Sequence, residues 1–115
     1  MIPFPRSLRP LPGAPGAFAF EVEAGHPAFI GHFPGRPILP GVVQLDWAIR
    51  LGGEVFGALG GFRSLEHLKF QATLEPLEPV ELRLTWEAAS RQLGFAYTGP
   101  KGRKSSGFAH FADES

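Results

Sequence analysis

A single breaker-free stretch, Gly41-Val42-Val43-Gln44-Leu45-Asp46-Trp47-Ala48-Ile49-Arg50-Leu51, limits the folds open to this chain. Apolar side chains fall on every side of its helical wheel, and a helix apolar nearly all round is one that other elements enclose. Asp46 and Arg50 are the only charges in these three turns. Gly52-Gly53 loosens the run, and the glycines from Gly57 to Gly61 end it. Elsewhere the period is two. Phe18, Phe20 and Val22 share a face before the helix. After it come Leu68, Phe70 and Ala72, then Val80, Leu82, Leu84 and Trp86, then Leu93, Phe95 and Tyr97. Such alternation marks strands. The turn Gly99-Pro100-Lys101-Gly102 leads into a last strand around Ser106–Phe111. One strand, a loop, one enclosed helix and about four more antiparallel strands predict an α+β fold, a sheet wrapped round a helix.

Size and composition narrow the class. A chain of 115 residues supports one core, because folding at this length buries roughly two-thirds of the surface. Residues 1–16 carry Pro3, Pro5, Pro10, Pro12 and Pro15 and are expected to form an extended arm, with regular structure starting near Ala17 and the domain filling 17–115. Eleven basic and eleven acidic residues leave no net charge, which argues against strong global attraction to nucleic acid or an anionic membrane. Without cysteine there is no disulfide, thiolate metal site or thiol nucleophile. No apolar run approaches the ~18–20 residues of a membrane span. Pro3 and Pro5 interrupt the start too early for a signal peptide, so the expectation is a soluble cytoplasmic protein. Charged residues are only 19% of the chain, which points to apolar surface hidden in an oligomer.

The long loop between Gly25 and Gly41 is dense in glycine and proline and holds His26 and His32. Loops of this length are more often functional than not. Pro40-Gly41 opens the helix, where the first N–H groups are unpaired and carry partial positive charge. With no side chain at Gly41, its N–H is free to hold a developing oxyanion. Asp46 follows five residues later, about 7.5 Å along the axis, and burial there would favour the protonated acid. A base at His32, an acid at Asp46 and a donor at Gly41 are the parts that proton abstraction beside a carbonyl needs. Each alone has a plainer reading: a loop histidine bonded to backbone, a satisfied carboxylate, a helix start. His26, His67 and His110 form no metal-ligand spacing with His32, and no carboxylate pair completes one, so no metal is expected. Lys101, Arg103 and Lys104 read as a solvated hairpin tip, or else as a contact for an acidic partner. Trp47 and Trp86 read as core.

Gly31-His32-Phe33-Pro34-Gly35-Arg36-Pro37-Ile38-Leu39-Pro40-Gly41 resembles the signature G-H-F-x-G-x-P-x-x-P-G of the β-hydroxyacyl-acyl-carrier-protein dehydratases at every fixed position. In that hot-dog-fold family of fatty-acid biosynthesis the acid lies fourteen residues after the histidine, where this chain has Asp46. The short chain is most similar to the small dehydratases of aryl-polyene and polyketide-type pathways. The resemblance implies that His32 removes the C2 proton of a 3-hydroxyacyl thioester, that Asp46 protonates the departing hydroxyl, and that the Gly41 N–H polarises the carbonyl. It makes Phe33, Leu39 and Val42 tunnel-lining candidates. It also implies an acyl carrier protein bearing a 3-hydroxyacyl-phosphopantetheine as partner, no cofactor, and a homodimer or larger oligomer with histidine and acid from different subunits. The chain departs from the family in having Arg50 where glutamine often follows the acid, and Arg50 is expected to turn away from Asp46. Two other activities fit the same fold: an acyl thioesterase in which Asp46 activates water, and a non-catalytic acyl-binding subunit of a hetero-complex.

Overall fold

The computed structural model describes residues 2–29 and 37–113. Six strands form one antiparallel sheet: β1 (Arg9–Pro10), β2 (Ala17–Phe20), β3 (Gly61–Phe70), β4 (Val80–Glu87), β5 (Gln92–Gly99) and β6 (Gly102–Ala112). Their spatial order is β1-β2-β4-β5-β6-β3. Helix α1 (Gly41–Phe56) packs against β4 and β5, and a 3-10 turn at Pro27–Phe29 precedes the loop that leads to it. This is the α+β hot-dog arrangement.

The central strands follow their alternation. Val80, Leu82 and Leu84 of β4 are buried, whereas Glu81, Arg83 and Thr85 between them are exposed. Ser105, Gly107, Ala109 and Phe111 give β6 the same period. Strand β6 is longer than its sequence pattern, running from Gly102, because it pairs with neighbours on both sides. Strand β3 is also longer, and alternation shows only near its end because it lies at the edge with most side chains exposed. Two register shifts, between Phe62 and Ser64 and between Glu66 and Lys69, break its ladder with β6. His67 takes φ 52 at the second, a bulge that adds local twist.

Helix α1 begins as expected. Pro40 is extended at the N-cap (φ −62, ψ 145), and its carbonyl accepts the N–H groups of Val43 at 3.1 Å and Gln44 at 3.2 Å. Gly57 ends it with positive φ and donates its N–H to the Gly53 carbonyl at 3.1 Å. The expectation of burial all round is corrected. Val43, Gln44, Trp47, Ala48, Leu51 and Gly52 are buried, but Val42 is 72% exposed and Leu45 and Ile49 are only partly covered. One chain supplies a single sheet, which covers one face of the helix.

Two further expectations change. Regular structure starts before Ala17, since Arg9 and Pro10 pair with Ala19 and Phe18 and the arm packs on the body. Gly16 makes the return, at φ 84, where a Cβ would meet the Leu84 carbonyl oxygen at 2.7 Å. Lys104 does not belong to the hairpin tip. It is buried, with its Nζ 2.6 Å from Glu78 and donating to the Thr73 carbonyl at 2.9 Å. Lys101 and Arg103 remain exposed. Trp47 is core, and Trp86 is half-covered, stacked on Phe56.

A short polar network is buried in the apolar core. The Gln44 side chain donates to the Leu39 carbonyl at 3.1 Å and accepts from the Ser105 hydroxyl at 2.6 Å, both groups buried. It ties the first turn of α1 to β6 and to the residue before Pro40. Ser105→Ala leaves the Gln44 amide oxygen buried without a donor, and is expected to lower unfolding free energy by about 1–3 kcal/mol in urea titration. Adding Gln44→Leu to that variant should cost less than the two single losses added together.

Candidate active site

The start of α1 borders an open groove of about 310 Å³. Ile38, Leu39, Pro40, Gly41 and Gln44 form one wall, and Phe70, Gln71, Ala72 and Thr73 the other. The Leu39 N–H donates to the Leu74 carbonyl at 2.8 Å, holding the two walls together. Gly41 sits at the first helical position, where its N–H belongs to the unpaired set. Its lack of a side chain has a local use. A Cβ there would lie 2.5 Å from Cζ of Phe70, whose ring covers the glycine. A larger groove of about 510 Å³ runs past Arg9, Glu21, Glu81 and Pro100, but among the described residues it contains none of the candidates.

Leu39 lines the groove as a fully buried side chain, while Val42 lies outside it on the exposed helix face. Asp46 also lies outside the groove, about 140° round the helix from Gly41 at about 100° per residue. Its side chain is 45% exposed, so within one chain it lacks the burial expected from the sequence. His32 and Phe33 lie outside the described residues, as does the rest of 30–36. His26, the other loop histidine, is structural. Its Nδ1 accepts the Ala28 N–H at 3.0 Å, so Nε2 carries the proton and donates to the Pro3 carbonyl at 2.9 Å.

Arg50 does not turn away. Its Nη1 is 3.1 Å from Oδ2 of Asp46 and also donates to the Ile2 carbonyl at 2.7 Å. The guanidinium carbon stands 4.1 Å from the centre of the Phe4 ring. A partner for Arg50 at i−4 was available in the helix itself, and the arm supplies two more. Phe70, Ile2 and Phe4 were not among the sequence candidates. Phe70 showed only strand alternation, and nothing in a proline-rich arm marks a residue as a neighbour of Arg50. Among the described residues no side chains gather in a group that could hold a metal ion.

Residues 15–108 match the family described as ApeI-like, the ApeI dehydratases. The chain belongs to this family. Curated relatives include 3-hydroxyacyl-[acyl-carrier-protein] dehydratases FabZ. That of Alkaliphilus metalliredigens is 32% identical, with 73% of this chain and 62% of the relative covered. That of Herpetosiphon aurantiacus is 28% identical over 64% of this chain and 57% of the relative. The chain thus spans about six-tenths of their length. Among solved structures, a chain of the dehydratase heterocomplex ApeI:P from Xenorhabdus doucetiae superposes with TM-score 0.78 at 28% identity, covering 96% of this chain and 97% of that one. An uncharacterized protein from Erwinia carotovora subsp. atroseptica gives 0.75 at 30%, covering 96% and 95%. No described helix is long and apolar enough to cross a membrane.

Strand β5 packs one further titratable group against α1. Tyr97 is fully buried and donates its hydroxyl to the Gln44 carbonyl at 2.6 Å. Burial pushes this phenol well above its ordinary value of 10.0, and the negative charge of Asp46 pushes the same way. Above that ordinary value the unfolded chain loses its phenolic proton while the folded one keeps it, so stability is present below about pH 10 and falls as pH rises. Tyr97 is the chain's one tyrosine. Alkaline titration followed by tyrosinate absorbance should show no ionisation near pH 10, and the signal should appear only together with unfolding.

Proposed function

We propose that the protein is a 3-hydroxyacyl-thioester dehydratase that converts substrate carried by acyl carrier protein into the trans-2-enoyl thioester. The observation that supports this most is the placing of Gly41. The last residues of the matched motif lead into the first turn of α1 at the edge of an open groove, in a chain of a dehydratase family. In the proposed reaction His32 takes the C2 proton, and the electrons of that bond move into the thioester carbonyl. The Gly41 N–H holds the resulting oxyanion. As the enolate collapses, the C2=C3 double bond forms and the C3–O bond breaks. Asp46 gives its proton to the departing oxygen, releasing water. No cofactor enters the scheme, because the elimination moves only protons and one electron pair.

Asp46 and the Gly41 groove of one chain lie on different sides of α1, which supports a site shared between two copies, histidine from one and acid from the other. The free edge of β3 and the exposed side chains of Val42, Phe62, Leu68 and Phe70 provide apolar surface for such a partner. A different hot-dog chain is the alternative partner, a reading favoured by the heterocomplex named for the Xenorhabdus neighbour. The exposed Lys101 and Arg103 suit contact with an acidic carrier by electrostatic steering.

Incubation with a 3-hydroxyacyl thioester is expected to produce enoyl absorbance without thiol release. His32→Ala and Asp46→Asn should each lower kcat by ~10²–10⁴ with the fold retained, the range for loss of a general acid or base. Unchanged turnover in both variants would overturn the assignment. Thiol release without enoyl product would replace it with thioester hydrolysis.

A further inference from the structure

We propose that Arg50 is a positioning residue for Asp46, and that residues 2–4 of the arm hold Arg50 in place and so complete the active site. The inference rests on the reading of Asp46 as the acid.

An arginine four residues after an aspartate shares its helix face, but such a pair fixes little by itself. Exposed ion pairs contribute little, and a free arginine loses much rotamer entropy on being held. Here the arginine is held from three sides. Nη1 has two hydrogens and serves two acceptors, the Ile2 carbonyl at 2.7 Å and Oδ2 of Asp46 at 3.1 Å. The Phe4 ring lies under the guanidinium at 4.1 Å. Only 24% of the Arg50 side chain is exposed, against 45% for Asp46.

The arm residues that do this are themselves anchored. His26 donates to the Pro3 carbonyl, and the Phe4 ring packs against Trp47 with centroids 6.4 Å apart. Further along, the Ser7 hydroxyl donates to the Glu21 carbonyl at 2.8 Å and accepts the Glu21 N–H at 2.7 Å. The arm is therefore a fixed wall, and Arg50 spans from it to the carboxyl.

One consequence follows for the acid. Arg50 engages Oδ2, which restrains rotation of the carboxyl and leaves Oδ1 for the departing hydroxyl or a water.

The test compares wild type with Arg50→Ala, Arg50→Gln, Phe4→Ala and Phe4→Leu, measuring kcat and KM separately beside thermal unfolding. Arg50→Ala should lower kcat by ~10-fold or more with KM within about twofold, as loss of orientation predicts. Arg50→Gln, which keeps a donor for the carboxyl, should recover most of that loss. Phe4→Ala should lower kcat several-fold, and the Phe4→Ala/Arg50→Ala double variant should be no slower than Arg50→Ala, because one residue acts through the other. Phe4→Leu keeps the apolar packing without the aromatic face and carries the test if Phe4→Ala fails to fold.

A second readout does not depend on turnover. The chain has two aspartates, Asp46 and Asp113. With ¹³C-labelled aspartate, Asp46→Asn assigns the two carboxyl signals. The Asp46 signal should move in the Arg50 and Phe4 variants, while that of Asp113 stays. Wild-type kcat in Arg50→Ala or in both Phe4 variants, losses that multiply in the double variant, or an unmoved Asp46 signal would overturn the proposal while Asp46→Asn is inactive. Wild-type turnover in Asp46→Asn would instead remove the acid assignment on which it rests.

Discussion

Trp47 fixes the rotation of the helix against the sheet. Phe20 meets its ring edge-on at 6.0 Å, His26 meets it at 5.5 Å and Phe4 at 6.4 Å, and almost none of it reaches solvent. A side chain of that size, enclosed on three sides, cannot turn without opening a cavity, which in a packed interior costs several kcal/mol, about 3–5 for removal of a large aromatic. Everything else on α1 takes its place from this. With Trp47 inward, Gly41 faces the groove, Gln44 reaches β6, and Asp46 and Arg50 emerge on the side toward the arm.

The buried amide of Gln44 does for the first turn what Trp47 does for the second. It satisfies the Leu39 carbonyl ahead of the helix and takes a hydroxyl from β6. A buried network of this kind stabilises one arrangement because any other leaves polar atoms unpaired in a dry interior. The peptide between Pro40 and Gly41 is thereby held on both sides, so the orientation of the Gly41 N–H is set before any substrate arrives. This is the preorganisation that the oxyanion-donor role proposed for Gly41 requires.

What could be read in advance follows from range. The strands β4 and β5 and the bounds of α1 near Gly41 depend on local periodicity and breakers, and both were legible. Strand β3 was less so, because an edge strand with few buried side chains leaves little alternation. The enclosed helix was over-read: Val42, Leu45 and Ile49 are apolar, but a wheel cannot tell which apolar face the same chain covers. Arg50 was misjudged for a different reason. Its local partner was visible at i−4, whereas Ile2 and Phe4 lie more than forty residues away in sequence, and no pattern in the arm encodes that approach. Lys104 likewise looked like its neighbours in a basic turn until the fold placed Glu78 and Thr73 against it.

The ring of Phe70 resting on Gly41 joins two positions that are 29 apart in the chain. Because that ring is half exposed, a side chain at 41 would swing it outward, and the mouth of the slot would change shape with the residue chosen there.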